Sequence, residues 1–248
     1  MIRGIYTSGL GMTRETKRLD IISNNLANAS TTGFKTEGTV QGTFKKKLDD
    51  VIVSGSRIDI ANYTPDIVRS YTNYTQGSLS NTGNSTDLAI TNDDHAFFSV
   101  ENGDGQELYT RDGNFTIDKD RYLVTTEGYR VLGKDGYINL KDDNFAIEVD
   151  GSIINDSGDI LGKLKITAFD NPETLSKIGN NLLSSDTDSV ERNFEGGIQQ
   201  GYLEMSNVNT VNEMVNMITV SRAYEANQKV LQTQDEMLGK AVSDVGRV

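Results

Sequence analysis

The chain has 248 residues, enough for one or two domains with a substantial core. Thirty-six acidic against 24 basic residues give a formal net charge of −12, which argues against nucleic acid as a partner, because phosphate neutralisation needs a basic face. With no cysteine, disulfide frameworks, thiolate metal sites and thiol nucleophiles are excluded, and no segment approaches the ~20 apolar residues needed to span a bilayer.

The first element occupies residues 1–30. Its start has no uninterrupted apolar core and no small-residue cleavage site, so a Sec signal peptide is not expected. Ile5, Met12, Leu19 and Leu26 recur every seven residues, with Ile22 beside them. This spacing predicts a helix with one narrow apolar seam, a width suited to packing on another helix. The pattern runs into Asn24-Asn25-Leu26-Ala27-Asn28-Ala29-Ser30-Thr31-Thr32-Gly33-Phe34-Lys35. Three asparagines lower helix propensity there. Gly33 is expected to adopt the left-handed conformation that ends a helix, and Phe34 to anchor the turn by burial.

Residues 35–60 are polar and carry no clear period. From about 60 to 200 the period changes to two, as in Phe115-Thr116-Ile117 and Leu164-Lys165-Ile166-Thr167-Ala168. Turn signals follow closely: Asp112-Gly113, Glu127-Gly128, Asp135-Gly136, Asp150-Gly151 and Ser157-Gly158. Short strands closed by such turns predict antiparallel hairpins. The last element, residues 204–245, repeats Met217, Tyr224, Leu231, Leu238 and Val245 every seven residues, with Val220, Ala223, Val230, Met237 and Ala241 widening the stripe. No Pro or Gly interrupts it from Leu203 to Leu238. The fold class is therefore α+β: a discontinuous, coiled-coil-like helical domain from both chain ends, with an inserted, mainly antiparallel β domain. Periodicity alone leaves two partners open for the helix seams, the chain's own core and a second subunit.

Catalytic signals are lacking. His95 is the sole histidine and lies in a turn-like Asn92-Asp93-Asp94-His95 run, and there is no Gly-x-Ser-x-Gly elbow. No phosphate-binding glycine motif is complete. Asp118-Lys119-Asp120 and Asp186-Thr187-Asp188 lack the EF-hand register and read as solvated turns. No cofactor, no metal and no enzymatic activity are expected.

Four stretches carry a resemblance to the bacterial flagellar basal-body rod proteins, within the rod and hook axial family. The first is the helix end just quoted, from Ile21 to Lys35. The second is Gly77-Ser78-Leu79-Ser80-Asn81-Thr82-Gly83 with Asp87-Leu88-Ala89-Ile90 and Phe97-Phe98. The third is Tyr109-Thr110-Arg111-Asp112-Gly113-Asn114-Phe115 with Gly128-Tyr129-Arg130-Val131-Leu132-Gly133. The fourth is Gln200-Gly201-Tyr202-Leu203-Glu204-Met205-Ser206-Asn207-Val208-Asn209 with Arg222-Ala223-Tyr224-Glu225-Ala226-Asn227. They follow the family's order along most of the chain. Asn92-Asp93-Asp94-His95-Ala96 departs from its usual Gly-x-Gly.

The resemblance implies a core assembly domain from the terminal helices, 1–34 and 203–248, a variable connecting segment, 35–76, and an outer β domain, 77–202. It implies a structural subunit that polymerises head to tail into a helical tube transmitting torque from motor to hook. The partners so implied are further copies, adjacent rod and hook proteins, and the flagellar type III export apparatus, with no nucleic acid and no membrane insertion. The location is the flagellar basal body, reached without a cleaved signal. Subunit contacts are expected at Ile5, Met12, Leu19, Ile22, Leu26, Met217, Tyr224, Leu231, Leu238 and Val245. The amides of Asn24, Asn25 and Asn28 are expected to bond to neighbouring subunits. Alternatives are a secreted peptidoglycan-acting hydrolase, which needs two carboxylates in a cleft, and a surface adhesin, which needs an exposed apolar patch on the β domain.

Overall fold

A computed structural model of the chain describes residues 2–40, 69–140, 145–155, 157–179, 181–185 and 189–245. The expected α+β architecture is present. Two long helices come from the chain ends, with antiparallel strands inserted between them. The described residues form two compact units, one within Met1–Ala27, Glu37–Tyr71 and Asn209–Val248, the other within Asn28–Thr36 and Thr72–Val208. Most of the connecting segment 35–76, and the Asp186-Thr187-Asp188 cluster, lie outside the described residues.

In the helical unit, α1 spans Ile2–Ala27 and α2 spans Thr210–Val245. The 36 residues of α2 rise about 1.5 Å each, giving a rod of roughly 54 Å. Asn209 caps it by accepting the Asn212 amide N–H at 3.1 Å. In α1 the Thr7, Thr13 and Thr16 hydroxyls donate to carbonyls one turn back. Such bonding satisfies polar side chains inside a helix at little gain in stability. A two-stranded sheet joins β1 (Glu37–Val40) to β2 (Arg69–Thr72).

The β unit begins with β3 (Leu79–Asn81), β4 (Leu88–Thr91), β5 (Ala96–Glu101), β6 (Glu107–Thr110), β7 (Phe115–Ile117), β8 (Leu123–Thr125), β9 (Arg130–Gly133) and β10 (Gly136–Tyr137). It continues with β11 (Phe145–Ile147), β12 (Ser152–Asn155), β13 (Ile160–Lys163), β14 (Ile166–Phe169), β15 (Ser176–Gly179) and β16 (Leu182–Ser184). It ends with β17 (Glu191–Arg192), β18 (Gly197–Gln200) and β19 (Tyr202–Glu204). The largest sheet runs β15-β16-β6-β5-β9-β8-β7, with β14 on β5, β17 on β14 and β10 on β9. A three-stranded meander, β11-β12-β13, and the pairs β18-β4 and β19-β3 complete it.

Strand β5 explains the apolar run Ala96-Phe97-Phe98, because both its faces are buried. Phe98 and Val100 enter the main core with Leu88, Phe115, Leu123 and Ile153. Phe97 points the other way into a second cluster with Tyr74, Tyr109, Phe169 and Leu183. The aromatic pairs meet edge to face, Phe98 with Phe115 at 5.2 Å and Tyr109 with Phe169 at 5.0 Å, the arrangement favoured by their ring quadrupoles.

Four of the five glycine turns close hairpins: β8-β9 at Gly128, β9-β10 at Gly136, β11-β12 at Gly151 and β12-β13 at Gly158, each glycine with positive φ. Asp112-Gly113 departs from the expectation, since β6 and β7 do not pair with each other. Gly113 passes so close to β4 that a Cβ would lie 1.7 Å from the Leu88 carbonyl oxygen, and its own carbonyl accepts the Leu88 N–H at 3.0 Å. Close approach of backbone to backbone, not a hairpin, is why glycine stands there.

Candidate functional site

The helical unit carries the residues read as assembly contacts. Helices α1 and α2 pack on each other. Gly4 lies against the Gln234 amide and Gly11 against that of Asn227; a Cβ would come within 2.2 Å and 3.1 Å of the respective amide nitrogens. Position rises along α1 as it falls along α2, so the pair is antiparallel.

Among the described side chains of α1, Ser8, Glu15, Ile22 and Asn25 are buried. Together with Gly4 and Gly11 they form a face of small and polar groups with one large apolar side chain, Ile22. The predicted seam, Ile5, Met12, Leu19 and Leu26, is only half-buried, while Ile22 is buried. Glu15 is held by Arg14 at 3.3 Å and Arg18 at 3.0 Å. On α2, Met217, Tyr224, Leu231 and Leu238 are half-buried, as are Asn227 and Gln234. Val220, at 1% exposure, is the one fully enclosed apolar side chain among the described residues of this helix. The side chain of Val245 lies outside the described residues.

Helix α2 has a second apolar face that the seven-residue count missed. Val211, Met214, Val215 and Ile218 are 66, 49, 57 and 55% exposed. Their i, i+3, i+4, i+7 spacing makes one continuous stripe. Ile218 precedes Val220 by two residues, about 200° around the helix, so the stripe faces away from the α1 contact. Val230 and Met237, read as part of the seam, are also exposed.

The three asparagines have separate fates. Asn25, 1% exposed, uses its amide within its own chain: Nδ2 donates to the Glu37 carbonyl at 2.8 Å, and Oδ1 accepts the Glu37 N–H at 2.9 Å. The side chain imitates a strand residue and fixes the start of β1. In the β unit, Asn28 accepts from the Thr31 hydroxyl at 3.1 Å. Asn24 is exposed.

Gly33 has φ +68° as expected, but α1 has already ended at Ala27, so the glycine serves a later turn. Its N–H donates to the Glu204 carbonyl at 2.8 Å, and a Cβ there would sit 2.5 Å from the Asp112 nitrogen. Thr32 donates to the Asp112 carboxylate at 2.7 Å; burial pushes that carboxyl above its ordinary range. Phe34 is buried, with the Lys177 ammonium 5.6 Å from its ring centroid.

Beside this turn lies a feature with no local sequence signal. The Glu204 carboxylate is enclosed by two cations, Lys35 Nζ at 2.6 Å and Arg111 Nε at 2.7 Å, with all three side chains buried. The Gly77 N–H donates to the same carboxylate at 2.9 Å, Lys35 also donates to the Thr75 carbonyl, and Arg111 to that of Ala96. Burial lowers Lys35 from its ordinary value. Burial alone would raise Glu204, but Arg111 and Lys35 outweigh it and hold the carboxyl below the usual range. The cluster ties segments near residues 35, 111 and 204 into one junction.

His95 forms part of a tight turn. Its N–H donates to Asp93, which also pairs with Arg192 at 2.6 Å, and its carbonyl accepts from Phe169. The departure at residues 92–96 is thus a local turn, with Asn92 at φ 62°. Charge is divided unevenly: the β unit's sequence segments hold 24 acidic and 11 basic residues, the helical unit's 12 and 13.

Three family profiles match in chain order: flagella basal body rod protein at 5–35, flagellar hook protein FlgE/F/G D1 domain at 89–178, and flagellar basal body rod FlgEFG protein C-terminal at 199–244. Whole-length relatives agree. The flagellar basal-body rod protein FlgG of Borreliella burgdorferi is 35% identical, over 97% of this chain and 98% of its own. FlgG of Bacillus subtilis is 35% identical over 98 and 99%. The rod protein FlgF of Caulobacter vibrioides is 34% identical over 94 and 93%.

Proposed function

Because the chain belongs to the flagellar basal-body rod protein family, in which it is a structural subunit of the flagellum, we propose that its copies polymerise head to tail through the helical unit into a tube that transmits torque. The observation that carries this reading is the outward apolar stripe of α2, Val211, Met214, Val215 and Ile218. Four apolar side chains in helical register, left about half in water, are a surface awaiting a partner. Completing the burial of each contributes about 1 kcal/mol, and a head-to-tail contact repeats that gain at every step of a non-closing helical array. The half-buried seam of α1, Ile5, Met12, Leu19 and Leu26, runs about 32 Å and offers apolar area, part of which the roughly 10 Å stripe of the next copy can cover.

In this reading Asn24 and Asn28 remain candidates for contact between copies. Asn25 acts earlier, by holding β1 in place within the chain. Adjacent rod and hook proteins meet the same helical surfaces at the ends of the array. Export through the flagellar type III apparatus suits a chain without cysteine. Catalysis plays no part in this role.

The test is Ile218→Asp, alone and with Val215→Asp. Both residues are exposed, so the purified chain should keep its unfolding midpoint while cells making it lose rods and motility. Wild-type swimming by the double variant would contradict the proposal.

A further inference from the structure

Building on the rod reading, we propose that the β9-β10 hairpin is a docking prong that seats on the acidic β unit of a second copy. The β unit carries 24 acidic against 11 basic residues, so two such units brought side by side repel unless a cationic surface lies between them.

Many of its cations are already engaged. Lys35 and Arg111 hold Glu204, Lys163 pairs with Asp150, Lys165 with Glu107, and Arg192 with Asp93. Arg130 and Lys134 differ: among the described residues no carboxylate lies within ion-pair distance of either, and both stand on this one hairpin.

The prong is pre-organised. The Arg130 guanidinium lies 4.8 Å from the Tyr122 ring centroid and 5.0 Å from that of Tyr137. The two rings meet edge to face at 6.1 Å. The Tyr137 hydroxyl donates to the Glu101 carboxylate at 2.5 Å, which fixes the outer ring although Tyr137 is 44% exposed. Tyrosine and arginine dominate the energetics of protein interfaces, and holding them in place beforehand removes the entropy cost of ordering them on contact. The hairpin register, Gly133 opposite Gly136 and Leu132 opposite Tyr137, sets Lys134 and Asp135 at the tip and Arg130 and Tyr137 nearer the base, two cations against one carboxylate along the hairpin. The complementary chemistry is a carboxylate-rich surface, which every other copy's β unit supplies.

Carbodiimide treatment of basal bodies purified from cells making this chain tests the proposal, because the reagent joins a lysine amine to a carboxylate in contact with it. We expect a covalent dimer of about 54 kDa, twice the 27.2 kDa chain, in which Lys134 is linked to an Asp or Glu of a second β unit. The Arg130→Gln variant should lower the yield of that dimer about tenfold, as loss of an interface anchor does, without moving the chain's own unfolding midpoint. Dimers whose links all map elsewhere, or Lys134 joined to a different protein, would overturn the proposal and leave the rod reading intact. A chain missing from the basal bodies altogether would instead overturn the rod reading, and the docking proposal with it.

Discussion

The β unit and the helical unit differ in how completely they satisfy their own apolar surface. In the β unit Phe97, Phe98, Phe115 and Phe169 are sealed, and the one deeply buried carboxylate at its junction has two cations and a backbone amide. Among the described side chains of α2 only Val220 is fully enclosed, while seven Val, Met and Ile side chains stand 47 to 71% exposed. The β unit encloses an apolar core of its own, although Val149, Ile160, Ile178 and Val190 stand exposed on it, whereas α2 encloses little of its own apolar surface. A protein that must be a stable subunit and also a link in an array can divide those tasks between regions in this way.

The largest way to break the contrast is at Glu204. Glu204→Gln strands two buried cations and should lower the stability of the β unit by about 3–5 kcal/mol, read as a shift in its urea midpoint. A loss under 1 kcal/mol would mean that the junction is incidental. The same residue sets an acid limb. Its folded pKa lies below the unfolded value, so its stabilisation is present above about pH 4.3 and is lost as pH falls through the folded value. Lys35 acts at the opposite end: its folded pKa is lowered, so the unfolded chain binds more protons near its titration and stability rises with pH there. Urea midpoints measured across pH should bend in both places, and Glu204→Gln should remove the acid bend.

A middle-sized effect belongs to Asn25. Asn25→Ala loses both bonds to the half-buried Glu37 backbone, each contributing about 0.5–1.5 kcal/mol, and should cost about 1–3 kcal/mol within the helical unit. Amide exchange at Glu37 should accelerate while the β unit is unaffected. Unchanged exchange at Glu37 would mean that the pairing is dispensable.

The smallest effect on the isolated chain should come from Ile218→Ser, within about 0.5 kcal/mol, since the side chain is already exposed. Its effect on rod formation should nevertheless exceed that of Asn25→Ala. The reverse ranking would erase the division between the two units.

The existence and type of the main elements were legible because they depend on local periods: seven in the end helices, two in the middle, glycine at four hairpin turns. The inward face of α1 was less legible. A seven-residue apolar count picks Ile5, Met12, Leu19 and Leu26, but close packing at Gly4, Ser8 and Gly11 turns a neighbouring small-residue face inward. The stripe of Val211, Met214, Val215 and Ile218 was missed because it is only two turns long, and Arg222 and Glu225 replace it further on. Nothing local marks Lys35 and Glu204, 169 residues apart, as partners. At the asparagine- and glycine-bearing end of the helix, Asn25 and Gly33 make backbone-level contacts, with Glu37 and with Glu204, which only the folded chain brings into reach.

Amide hydrogen exchange on the same chain, as a monomer and in isolated rods, tests the division most directly. The β unit should be strongly protected in both states, with α1 and α2 gaining strong protection only in the rod. Equal, slow exchange across residues 2–27 and 210–245 in a verified monomer would contradict the claim that other copies complete the helical unit.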